Sequence, residues 1–173
     1  MSSATDAKNL LARLGITDVP TPLEKIASSL GLTIVKDKSF EDSISGVFVP
    51  EKMAIIVNAS HPEVRQRFTI AHEIGHFILH YDPNNLDLFV DKSLAFYRNR
   101  KTSEGLDDNE KAANKFAAEL LMPEEILRKR VDTYGVDLFD DFAVSRLAKA
   151  FNVSEQAMTL KLQSLEGVGV HFI

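Results

Sequence analysis

The chain of 173 residues contains no cysteine. That absence excludes a disulfide framework, a thiolate metal site and a cysteine nucleophile together. No apolar run reaches the length of about 18 residues that a membrane span needs. The opening stretch, MSSATDAKNLLARLG, lacks a basic region followed by an apolar one, so a cytoplasmic protein with no membrane partner is expected. Internal repeats, low-complexity tracts and linker-like compositions are absent as well. Positive charge is not in surplus: 20 Lys and Arg stand against 25 Asp and Glu, a net charge of −5. That balance argues against a surface built to coat nucleic acid. With 45% apolar residues at this length, the chain can bury a proper core as one α+β domain without covalent staples.

Along the chain, Asp6 to Leu14 carries leucines at 10, 11 and 14, the spacing of an amphipathic helix. A second helix is expected from about Pro22 to Leu30, followed by a short strand in LTIV. Gly46–Val49 and Met53–Asn58 read as two strands joined by a Pro-Glu-Lys turn. Ser60 and Glu63 have the S-x-x-E spacing of a capping box, with Pro62 suited to the first turn of a helix running to about His80. The segment from Tyr81 to Glu110 is turn-rich and expected at the surface. DDNEKAANKFAAELLMP is a strong helix that Pro123 ends, and a further helix is expected through about Lys129. FAVSRLAKAFNVSEQAMTLKLQSL reads as helix, short turn, helix, and VGVHFI as a last strand. The expected organisation is a core over residues 1–132 with a helical region, 133–173, packed on it.

The helix around RFTIAHEIGHFILH poses a physical problem. At 100° per residue it is apolar nearly all round, and Thr69, His72, Glu73, His76 and His80 share one wedge about 100° wide. Each ionisable group would cost several kcal/mol if buried without a partner. His72-Glu73-Ile74-Gly75-His76 is an H-E-x-x-H match. Residues at i and i+4 stack on one face, so both imidazoles can reach one metal ion at about 2.1 Å. Glu73 projects beside them, placed to take a proton from an attacking water and return it to a leaving amine. With five His and twelve Glu in the chain, chance gives this pattern in roughly one of a hundred shuffled sequences, so it needs support from elsewhere. His80 lies about 12 Å along the axis from His72 and cannot converge on the same ion, so it is expected to support the ligands from behind or close the helix end.

A catalytic zinc takes three protein ligands, and without cysteine the third must be Asp, Glu or a distant His. In the second strong helix Ala113, Phe116, Ala117, Leu120 and Leu121 form the apolar stripe. Glu110 borders that stripe, with Asn114 one turn on, whereas Glu119 shares the far side with Lys111 and Lys115 and is expected to face water. Glu110 is either a capping-box partner of Asp107 or a ligand beside His72 and His76. In the second case Asn114 would hold a ligand imidazole through its side-chain oxygen.

These two stretches, RFTIAHEIGHFILH and EKAANKFAAELLMP, together resemble the ImmA/IrrE family of metallopeptidases. The likeness covers most of the chain, from IIVN before them to LAKAFNVSEQAMTLKL after. It implies a zincin-like, gluzincin-type core, with a small mixed sheet packed on two core helices and a helix-turn-helix-like segment behind. It also implies a metal held by His72, His76 and Glu110, and Glu73 as general acid and base. The substrate it implies is a protein, a helix-turn-helix repressor cleaved to switch on phage, mobile-element or stress genes. Two His and a carboxylate suit Zn²⁺, with Mn²⁺ and Fe²⁺ as alternatives.

Two further expectations concern the surroundings of the metal. An extended substrate would add to a sheet edge, for which the GVFVPEKMAIIVN hairpin is the candidate. An oxyanion needs a donor, and Tyr81, Tyr97, His61 and His171 are the candidates. A competing class of function is a DNA-binding or repressor-sequestering regulator with a non-catalytic metal site. Phe142 to Ser164 carries only Arg146, Lys149 and Lys161 against Glu155, too few cations for phosphate contacts, so direct DNA binding is not expected.

Overall fold

The computed structural model describes residues 2–83, 104–134 and 141–166, with side chains 104–107, 133, 134, 141 and 166 left aside. Most of the turn-rich stretch, the loop at Gly135 and the strand expected in VGVHFI lie outside the described residues. Three strands form one sheet: β1 (Thr33–Asp37), β2 (Gly46–Val49) and β3 (Ala54–Asn58). The order is β1-β3-β2. β1 runs parallel to β3 from Thr33 opposite Ala54 to Asp37 opposite Asn58, and β2 runs antiparallel, with Gly46 opposite Val57. The Pro-Glu-Lys turn between β2 and β3 is a single 3-10 turn, closed by Met53 at φ 45°. β3 reads Ala-Ile-Ile-Val because it is central and covered on both faces, with Ile55 and Val57 fully buried.

Seven helices are described. α1 (Ser3–Arg13) begins three residues before the expected start, and α2 (Leu23–Ser29) lies within its expected span. α3 (Glu63–His80) carries the histidines, and α4 (Glu104–Leu121) is its principal neighbour. α5 (Glu124–Tyr134) runs a turn beyond the expected end, and α6 (Asp141–Phe151) and α7 (Glu155–Glu166) form the C-terminal pair. α3 is pressed between the sheet and α4, and at both contacts the neighbour meets a glycine. A Cβ on Gly46 of β2 would sit 2.6 Å from the Thr69 methyl, and one on Gly75 of α3 would sit 3.2 Å from the Ala113 carbonyl oxygen. A Cβ has no room at Gly46, and at Gly75 its neighbours would have to give by a few tenths of an ångström, so the missing atoms help set how closely the three layers approach.

The expected capping box does not form. α3 starts at Glu63 with Pro62 before it, and Ser60 instead gives its N–H to Asn58 Oδ1 at 2.9 Å. Glu63 is taken by Asn152, whose amide donates to its carboxylate at 2.7 Å. Asn58 is fully buried and also donates to the carbonyls of Glu41, at 3.2 Å, and Ile44, at 2.9 Å. It therefore nails the loop ahead of β2 to the turn ahead of α3.

The C-terminal pair joins the same core: Leu147, Phe151, Met158 and Leu162 pack in one cluster with Ile74 and Phe116. Its turn rests on Asn152 at φ 53°, a left-handed conformation Asn tolerates, and on Ser154, whose hydroxyl accepts the Ala157 N–H at 3.1 Å.

Glu119 overturns its expected place. It is buried at 2% exposure, its carboxylate 2.6 Å from Lys161 Nζ of α7 and 4.0 Å from Lys8 Nζ of α1. It also accepts the backbone N–H of Glu124 at 3.0 Å, capping the start of α5. Helical angle alone placed it with Lys111 and Lys115, and those two are indeed exposed. α1 and α7 cover only the later turns of that side, which turns Glu119 into a buried anion with a partner. Glu119→Ala should therefore lower unfolding free energy by about 3–5 kcal/mol, because it leaves Lys161 buried and unpaired. Glu119→Met with Lys161→Met should recover most of that loss, read from urea unfolding midpoints of all three proteins.

Candidate functional site

The spacing of α3 brings His72 and His76 one turn apart, with ring centroids 4.5 Å from each other. Their Nε2 atoms lie 2.9 Å apart, and the Glu110 carboxylate of α4 faces both. Its Oε2 is 3.2 Å from His72 Nε2 and its Oε1 3.0 Å from His76 Nε2. His72, His76 and Glu110 are the one group of this kind among the described residues that could hold a metal ion. Glu110 is not a capping partner of Asp107, because α4 begins at Glu104 and Asp107 already lies within it.

Asn114 completes the arrangement on the sequence's terms. Its Oδ1 is 3.0 Å from His72 Nδ1, so that nitrogen carries the hydrogen and Nε2 of the neutral ring keeps its electron pair. The pair then points at a carboxylate oxygen and at a second imidazole nitrogen. Electron pairs turned on one another repel unless a hydrogen or a cation lies between them, and an Nε2–H on His76, an added proton or a metal ion would each serve. Tetrahedral zinc with ligands at about 2.1 Å spaces its donors about 3.4 Å apart, close to the separations found here. The donor set therefore fits a divalent ion.

These groups shift one another's protonation. Burial opposes charge on Glu110, but hydrogen bonds from His72 and His76 outweigh it and bring the carboxyl down to about 2. Burial also opposes charge on His72, yet Glu110, Glu73 and Asn114 hold its imidazole above the ordinary value. Glu73 is different. Burial pushes its carboxyl up, the charge of Glu110 adds to that, and His72 and His76 and the backbone N–H of Phe48 pull it back. A carboxyl poised upward beside two imidazoles is suited to taking and returning a proton.

Phe48 belongs to β2, an edge of the sheet, and nothing in the sequence marked its N–H as a partner of Glu73. Its ring meets Phe77 at 5.5 Å and Tyr81 at 5.6 Å, which fixes the end of α3 against the sheet. Of the oxyanion candidates, Tyr81 sits in this aromatic cluster, stacked on Phe77 at 5.1 Å. His61 is buried, with Nε2 3.0 Å from the Asp42 carbonyl, as part of the loop anchor around Asn58. Tyr97 and His171 lie outside the described residues. His80 stands apart from the cluster, its Nε2 3.3 Å from the Asn109 carbonyl.

Comparison with known proteins places the chain in a family. The model of the Peptidase M78 family, described as an IrrE N-terminal-like domain, matches residues 13–163. The chain is 35% identical over 109 residues to the radiation response metalloprotease IrrE of Deinococcus radiodurans, covering 63% of this chain and 30% of that protein. To the protein of the same name from Deinococcus deserti it is 32% identical over 109 residues, covering 63% and 35%. The chain thus spans about a third of the length of these curated relatives. In fold it is similar to a Mycobacterium tuberculosis transcriptional regulator, with a TM-score of 0.61 and 15% identity, over 90% of this chain and 44% of that one.

The raised value of His72 has a sign that can be checked. A proton is held there to higher pH than on a free imidazole, so an entering metal ion must displace it. Calorimetry of Zn²⁺ binding in buffers of different ionisation enthalpy should show proton release that grows as pH falls from about 8 to 6. His72→Ala should remove most of that dependence.

Proposed function

The chain belongs to the Peptidase M78 family of IrrE N-terminal-like domains, and from that premise we propose that it is a metal-dependent endopeptidase acting on a protein. The observation that carries the proposal is the convergence of His72 Nε2, His76 Nε2 and the Glu110 carboxylate within 3.2 Å, with Glu73 beside them. In this reading His72, His76 and Glu110 hold the ion, Zn²⁺ in the first instance. Asn114 fixes the tautomer of His72 from the far side of its ring. When bound, the ion would supply Lewis acidity, polarising the substrate carbonyl.

The residues of the chain do the rest. Glu73 removes a proton from the attacking water and delivers it to the departing amine, a task its burial favours by raising its carboxyl above the ordinary carboxylate value. The Phe48 N–H holds that carboxyl in place from β2. Residues 1–132 would form the catalytic core and 133–173 a helical region packed on it. For substrate we propose a helix-turn-helix repressor whose cleavage releases silenced genes; the name of the Deinococcus relatives, a radiation response metalloprotease, supports a regulatory role of that kind. Direct DNA binding by α7 has no support from its charge, since Lys161 is turned inward to Glu119. Incubation of the protein and Zn²⁺ with a helix-turn-helix repressor from the same genome should yield one discrete cut, seen by mass spectrometry.

Glu73→Gln should reduce cleavage by at least about 10²–10⁴-fold while metal content by elemental analysis stays at the level of the unmutated protein. Cleavage at the original rate would remove Glu73 from the mechanism. Glu110→Ala leaves two imidazoles to hold the ion, and metal should be lost on dialysis together with activity. Full occupancy in that variant would move the third ligand elsewhere.

A further inference from the structure

We propose that His80 is a positioning residue for Glu110: by holding the α4 backbone at Asn109, it sets where the carboxylate meets His72 and His76. The inference rests on the metal-site reading above and adds a role that His80 does not have as a ligand. Its place in the seam beside His76, ring centroids 5.6 Å apart, makes it look like a third ligand. The ligand cluster nevertheless closes without it. Its Nε2–H points across to the Asn109 carbonyl at 3.3 Å, one residue before Glu110. A carbonyl inside a helix keeps a second electron pair, so it can accept this donor without giving up its helical bond.

The packing of α4 explains why such a tie matters. From Ala113 onward the helix is anchored by its apolar stripe, with Ala113, Phe116, Ala117 and Leu120 fully buried. Before that point, none of Asp108, Asn109, Glu110, Lys111 and Ala112 is buried. The end that carries Glu110 thus has no apolar anchor among its described side chains and meets α3 through polar contacts. Asn114 to His72 is one, on the side toward the stripe. His80 to Asn109 is another, on the opposite side of Glu110. The two ties bracket the carboxylate, so that its approach to both imidazoles is fixed before an ion arrives. Groups that orient metal ligands in this way typically account for about 10–100-fold in metal affinity.

The test is the Zn²⁺ affinity of the full chain, measured by competition with a chromophoric chelator, alongside thermal unfolding of the metal-free proteins. His80→Phe keeps a ring of similar size and removes the donor; His80→Gln keeps an amide donor of similar reach. His80→Phe should bind Zn²⁺ about 10–100-fold more weakly, and His80→Gln should recover most of the loss. Wild-type affinity in His80→Phe overturns the proposal. So does a His80→Gln variant as weak as His80→Phe, since the side chain would then matter for its shape and not for its hydrogen bond. Should His80→Phe fail to fold, His80→Gln against wild type decides alone: affinity within about threefold supports the tie, and a loss of tenfold or more overturns it. Glu110→Ala run in parallel separates the two levels, because undiminished Zn²⁺ binding there would sink the metal site itself.

Discussion

Two imidazole nitrogens 2.9 Å apart, with a carboxylate 3.0 and 3.2 Å from them, form a cluster of electron pairs that repel one another wherever no hydrogen or cation lies between them. The fold is arranged to keep these groups from escaping one another. The stripe of α4 locks its later half against α3, and Asn114 forbids the tautomer in which His72 could relieve the contact. β2 presses on the opposite flank of α3 and steadies Glu73 through Phe48. Against the cost of burial, their mutual hydrogen bonds hold the Glu110 carboxyl low and the His72 imidazole high, so these groups favour a positive charge among them. Stability and readiness to bind therefore share one origin.

The histidine helix was legible in the sequence because its spacing is local. His72, Glu73 and His76 are fixed relative to one another by helical pitch alone. Glu110 and Asn114 could be read too, since the apolar stripe of α4 reports which side meets the core. What could not be read depended on partners distant in the chain. Helical angle gave the side on which Glu119 sits, but not that α1 and α7 would close over the later turns of that side. The S-x-x-E spacing at Ser60 and Glu63 was a sound local signal, lost because Asn58 and Asn152 made better-placed bonds to the same groups. Phe48 as a partner of Glu73 acts through its backbone, which carries no signature in residue type.

The C-terminal pair shows how one ion pair can decide between readings of a motif. Its sequence has the turn of a DNA-reading unit, and its fold matches that expectation, with Asn152 left-handed and Ser154 capping the second helix. Lys161, the one cation of that second helix, is 12% exposed and committed to Glu119. The outer face of α7 shows Glu155, Gln156, Thr159, Leu160, Gln163 and Ser164. A helix offering no positive charge on its open side has little to attract a phosphate backbone. Through Lys161 and a shared apolar cluster the pair packs against α4, the helix that brings Glu110.

Gly75 lies between the two histidines and carries nothing itself, yet its missing Cβ lets the Ala113 carbonyl come as near as it does. For anyone transplanting this site into a designed helical bundle, copying the visible donors would not be enough. The gap between two helix axes is the dimension a donor triangle must match, and a methyl group at this position would press on the Ala113 backbone and the Phe116 ring that border it. The gauge of the site is thus set by a vacancy in the side-chain pattern, and a blueprint that lists only functional groups would omit the part that sizes it.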